Sequence, residues 1–186
     1  MATLAAATPI HAQTASSVSG DTDGHKTGSH EHGKHGGGKH GTGHKWLAFD
    51  AATNTVTFKL VAGRDRGESR LNFNGYTDGK ASLVVPPKSA IVMNFVNQDS
   101  LPHSAVIIAG GGPIPASVDR PAIPGAATTD LASGLPGHGT DQVRFTAPAS
   151  GSYRIASGVP GQARSGMWIR FTVDPTAKAP AWRKNW

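Results

Sequence analysis

Between Val56 and Val173 the chain runs in short apolar stretches separated by Gly, Pro and Asn. Val56-Thr57-Phe58-Lys59-Leu60 alternates apolar with polar, the period of a half-buried strand. Similar runs follow at 81–85, 91–97, 104–108, 142–146, 153–156 and 168–173. Turn signals lie between them, such as Pro86-Pro87-Lys88-Ser89 and Ala147-Pro148-Ala149-Ser150-Gly151. No window of helical length carries a 3.6-residue apolar period. The pattern predicts an all-β fold of roughly seven or eight strands, a Greek-key β-sandwich. A core of this size buries about two thirds of the unfolded chain's surface, enough to fold without covalent cross-links. Residues 109–140 break the pattern: they are Gly/Pro-rich and weakly periodic, as loops that serve function or wrap a sheet edge are. A short helix near 126–133 is the one helical expectation.

Residues preceding this region read differently. Residues 2–12 are small and apolar, with Pro9 and then Ile10-His11-Ala12, like the end of a secretory signal. That predicts a signal remnant and an exported protein, periplasmic or extracellular. Residues 21–45 hold His25, His30, His32, His35, His40 and His44 among dense glycine, with no large apolar residue. Such a segment cannot offset its ordering entropy by burial, so a disordered tail is expected. Neutral imidazole is a preferred ligand of Cu(II), Zn(II) and Ni(II), so these histidines are candidate weak metal sites. A solubilising linker that binds metal only adventitiously is the equal alternative. The divisions expected are therefore 1–20, 21–45, a folded domain over 46–174, and a basic tail over 175–186.

The net charge of +6 changes little. Half of it falls on Lys178, Arg183 and Lys184 in the C-terminal tail, and no basic stripe interleaves with aromatics along the chain. Nucleic-acid binding is not expected. No apolar stretch reaches the length of a transmembrane helix. No Ser-His-Asp order, paired-carboxylate motif, phosphate loop or metalloprotease helix is evident, so an enzyme is not expected.

The chain contains no cysteine. That excludes a disulfide, a thiolate nucleophile and any thiolate-held metal. The zero acquires a particular meaning beside four ordered features. Leu71-Asn72-Phe73-Asn74-Gly75 comes first, then Leu101-Pro102-His103-Ser104, then 147–153, then the loop from Ser157 through Gln162 to Met167-Trp168. Together they resemble the sulfocyanins, blue-copper proteins of the cupredoxin superfamily, over roughly residues 55–174. The resemblance implies a cupredoxin-like sandwich and a copper site of two His, one Cys and one Met. Two imidazoles and a thiolate form a trigonal plane, with the thioether axial.

On that resemblance the first His falls on His103 and the Met on Met167. The Cys position carries Ser157 and the second His position carries Gln162, with the spacing kept. A serine hydroxyl is hard and resists deprotonation, and a carboxamide oxygen is a weak ligand. Copper remains a candidate cofactor, but a type 1 blue centre is not expected. His103 equally suits a strand-turn cap, and Met167 a core filler beside Trp168. Asn74 suits either a brace for the ligand loop or a turn beside Gly75. Ser104 offers a bracing hydroxyl, and His138 a substitute imidazole should its loop cover the site. Three readings follow. The first is an exported metal-binding or docking protein with a degenerate copper site. The second is an electron-transfer protein with altered ligands; a redox or membrane-complex protein is the candidate partner. The third is a purely structural sandwich.

Overall fold

The structure is a computed structural model, and it describes residues 45–65 and 69–185. The described residues form nine strands and no helix: β1 (Leu47–Asp50), β2 (Thr55–Ala62), β3 (Ala81–Val85), β4 (Ala90–Asn97), β5 (Val106–Ala109), β6 (Thr140–Thr146), β7 (Gly151–Ala156), β8 (Trp168–Val173) and β9 (Ala181–Lys184). No helix among them is long and apolar enough to cross a membrane. The expected signal remnant and the six-histidine tract to His44 lie outside the described residues.

Two mixed sheets result, ordered β1-β2-β4-β6 and β5-β7-β8-β3-β9. Parallel pairing joins β2 to β4 and β3 to β8, and the other ladders are antiparallel. Alternation decides what lies between the sheets. In β2, Val56, Phe58 and Leu60 are buried, while Lys59 is exposed. In β8, Ile169, Phe171 and Val173 turn inward. Phe171 meets Phe145 across the sandwich and Tyr153 on its own sheet, each ring pair 6.1 Å apart. Such aromatic contacts add to the apolar burial that drives the collapse.

Three differences from the sequence expectation have local causes. Residues 126–133 form turns, not a helix. Ala126 and Thr128 instead pair their backbone with Ile107 and Ala105, so the segment lies along β5. β1 is an additional four-residue strand. β9 arises within the stretch expected to be a basic tail, and it pairs with β3 from Ala81↔Lys184 to Val84↔Ala181. Its Trp182 packs against the core, with ring contacts to Trp46 and Tyr76. One apolar anchor fixes a strand that the flanking Arg183 and Lys184 hide from a periodicity count.

The long 109–139 connection covers part of the outer face of the second sheet. Val106, Ile108 and Ala156 point away from the main core, and Ile114, Val118, Ala127 and Leu131 of this connection pack over them. Its far end, at Leu135, pairs back with His103 (Leu135 N to His103 O, 2.8 Å). β4 delivers the 97–103 segment to one edge of the site. The β7–β8 loop supplies the other edge.

Candidate metal centre

The loop from Ser157 to Met167 is closed at its base by a backbone bond from Ser157 N to Met167 O (3.0 Å). Within it, Met167 N donates to Gln162 O (3.0 Å). These bonds bring three of the positions marked by the resemblance together on the closing loop. His103 reaches the same place from the opposite side. It is wholly buried, as is Met167, and Ser157 is 1% exposed.

The side chains of His103, Ser157 and Gln162 form one hydrogen-bonded group. Gln162 Nε2 donates to Pro102 O (3.0 Å), which turns Oε1 inward. That oxygen accepts from Ser157 Oγ (2.9 Å) and faces His103 Nδ1 at 2.8 Å. Because Oε1 is an acceptor, the ring meets it with Nδ1–H. Met167 takes part through its backbone, while its side chain belongs to the main apolar core.

The other ring nitrogen of His103 faces Asp99 Oδ2 at 3.3 Å. Asp99 is held in turn by Arg70, whose Nε donates to Oδ2 (3.2 Å) and whose Nη2 meets Oδ1. Ser100 N also donates to Oδ1 (2.6 Å). Burial pushes the Asp99 carboxyl upward. The Arg70 guanidinium, the His103 contact and the Leu101 and Ser100 amides outweigh it and hold the carboxyl far below the usual carboxylate range. Asp99 therefore stands as an anion beside the ring.

Neighbouring residues fix both edges. Asn97 Nδ2 donates to Leu101 O (2.7 Å) and Leu135 O (3.0 Å), tying β4 to the turn that carries His103. Ser104 Oγ accepts from Gly158 N (3.0 Å) and donates to Leu131 O (2.7 Å), so this hydroxyl bridges the upstream segment and the closing loop. Gly134, at φ +75°, lets the 130–135 turn lie against the His103 backbone; an added Cβ would come within 2.9 Å of His103 N. Asn74 braces neither loop. At φ 55° it caps a turn, accepting from Val61 N (2.7 Å) and donating to Lys59 O (3.0 Å). His138 lies on the Asp99 side, lining an open depression with Arg70, Asp99 and Ser100.

Asp99 and Arg70 are the site residues that the motif reading passed over. The Asp99–His103 spacing of four is a weak signal, and Arg70 becomes adjacent only through the fold. Among the described residues no group of three or more His, Asp or Glu side chains converges as a metal cage.

A two-sheet sandwich with a buried histidine from one segment and a closing loop ending in methionine defines the cupredoxin class. Within that class, the chain matches the Sulfocyanin (SoxE) domain over residues 42–182 and belongs to that family. Sulfocyanin of Sulfolobus acidocaldarius is 27% identical over 139 residues, covering 71% of this chain and 70% of that protein. Solved structures similar to it include reduced auracyanin from Roseiflexus castenholzii, at 28% identity and TM-score 0.46, covering 64% of this chain and 97% of that one. Rusticyanin from Thiobacillus ferrooxidans is similar at 25% identity and TM-score 0.44, covering 65% and 82%. This is a family of cupredoxin-like blue copper proteins, and the present chain has no cysteine to supply that centre's thiolate.

Proposed function

We propose that this chain is an exported, non-enzymatic cupredoxin-like protein whose type 1 site has been rebuilt as a hydrogen-bonded network. Its work is then binding, not electron transfer. The observation that carries this reading is the engagement of both His103 ring nitrogens. Nδ1–H is directed at Gln162 Oε1 and Nε2 faces Asp99, so neither ring nitrogen addresses an open position. The donor set does not fit a type 1 centre. Imidazole and thioether would be joined by a hydroxyl and a carboxamide, neither of which stabilises Cu(I) as thiolate does.

In this reading copper is gathered by the tail histidines, His25 to His44, and the folded domain docks onto a partner. A weak metal-binding tail tethered to a docked domain acts through effective concentration. The positions of His103, Ser157, Gln162 and Met167 are inherited from a copper-binding ancestor, and Ser157 and Gln162 now act as hydrogen-bonding groups.

Copper titration tests the proposal. The full chain with Cu(II) is expected to give no intense visible band and an EPR signal of tetragonal type. Deleting residues 21–45 is expected to remove most of the bound copper. The S157C/Q162H variant restores the ligand types at the kept spacing and is expected to gain an intense visible band. Blue colour in the unaltered chain, or unchanged copper stoichiometry after the deletion, would overturn the reading. A colourless double variant would overturn the inherited geometry.

A further inference from the structure

The outer face of the second sheet is covered at one end and carries exposed charge at the other. The 109–139 connection packs over the β5–β7 end. From the margin of this cover, the ladder registers bring three arginines into one row, with Arg154 half-buried and Arg170 and Arg183 exposed. Arg154 of β7 is opposite Arg170 of β8, Arg170 is opposite Ser82 of β3, and Ser82 is opposite Arg183 of β9. All three point away from the core, because their strand neighbours Ile155, Ile169 and Trp182 pack into or against it. With strands about 4.8 Å apart, the row spans about 14 Å.

This arrangement runs against what a sheet prefers. Like charges directly opposite on adjacent strands destabilise it, and Arg154 and Arg170 are such a pair. The flanking outward positions, Ser152, Ala156, Trp168, Thr172, Val84 and Ala181, offer no carboxylate. Asp174 is stabilised by the charge of Arg183 at one end of the row, whereas Arg154 and Arg170 have no carboxylate at these positions. Local rules are broken most often at functional surfaces.

Two of the three guanidiniums are also held in place. Arg154 stacks over Trp168 at 5.2 Å and donates to Gly112 O (2.9 Å). Arg170 Nε donates to Gly79 O (3.2 Å), while the residue itself stays exposed. A fixed planar fork suits bidentate binding of carboxylates at set positions. A fluid lipid surface makes no use of that positioning. The strands that carry Arg154 and Arg170 lead directly into Ser157 and Met167, so an occupant of this row would sit beside the closing loop.

We propose that the Arg154–Arg170–Arg183 row is a docking surface for an acidic, carboxylate-rich segment of a partner protein. The proposal supplies the docking half of the function above and is independent of whether copper binds. The probe is an octaglutamate peptide titrated at low salt into the full chain, followed by amide NMR shifts. Shifts are expected along β7, β8, β3 and β9. R170E/R183E is expected to weaken binding at least about tenfold, more than the equal charge change K59E/R144E on the other sheet. Amide spectra of each variant check that the sandwich is intact. Equal loss in both double variants would overturn the row in favour of net charge alone. Binding to phosphatidylglycerol vesicles with none to the peptide would overturn it in favour of a membrane. Copper spectra are not read in this experiment, so its failure leaves the reading of the metal corner standing.

Discussion

The 72–75 turn and the His103 corner are both built from buried polar side chains, but they address different partners. Asn74 and Asn72 bond to main chain. Asn74 serves Val61 N and Lys59 O, and Asn72 serves Arg64 N, Gly75 N and the carbonyls of Arg64 and Ser69. In the corner, Gln162 Oε1 serves two side chains, His103 and Ser157. A backbone partner remains whatever the neighbouring side chains become, so the turn asparagines are fixed by the fold. Side-chain partners can change together. The frame can therefore persist while the chemistry at the corner is replaced.

The strongest way to break this comparison is Asn74→Ala. It strands a buried N–H and a part-buried C=O and leaves alanine at φ 55°. At about 1–3 kcal/mol for each unpaired buried group, a loss of about 3 kcal/mol is expected. Urea melts measure it. A loss below about 1 kcal/mol would show that the turn does not hold the frame.

A smaller effect, and one with a pH signature, is expected for Asp99→Asn. The folded carboxyl lies below its unfolded value, so its contribution is complete above about pH 4. It is lost as the pH falls through the folded value. Asp99 has a buried side chain, but Arg70 is 64% exposed, so the ion pair is discounted for screening. The expected loss at neutral pH is about 1–2 kcal/mol. Thermal melts of both proteins should converge as the pH drops below about 4. A gap that stays constant over that range would mean that Asp99 acts through packing, not charge.

Much of the frame is legible along the chain because its strands alternate. Val56 to Val61 and Trp168 to Val173 declare their faces in sequence. β1 and β9 do not, since four residues carry too little period and Arg183-Lys184 read as a solvated tail. The corner is legible in one sense: the loop from Ser157 through Gln162 to Met167, singled out by its spacing, folds as one closed loop that meets His103. That Gln162 would bond both His103 and Ser157 depends on rotamers that spacing does not encode. Arg70 reaches Asp99 across 29 positions, and the arginine row depends on the registers of β7, β8, β3 and β9. Long-range pairing of this kind leaves no trace in a local pattern.

The finest test separates members of the corner itself. If Gln162 is the hub, Ser157→Ala removes one donor to Oε1 and leaves the His103 bond in place. It also removes a weak acceptor for Val159 N at 3.3 Å. A loss of about 0.5–1 kcal/mol is expected. Gln162→Ala deprives both Ser157 Oγ and His103 Nδ1 of their shared acceptor and frees Pro102 O, so about 2 kcal/mol is expected. The two denaturant midpoints, measured at one pH, give the order directly. Were Ser157→Ala the costlier change, the corner would be organised around the Ser157 hydroxyl. In that case Gln162 would merely cover it.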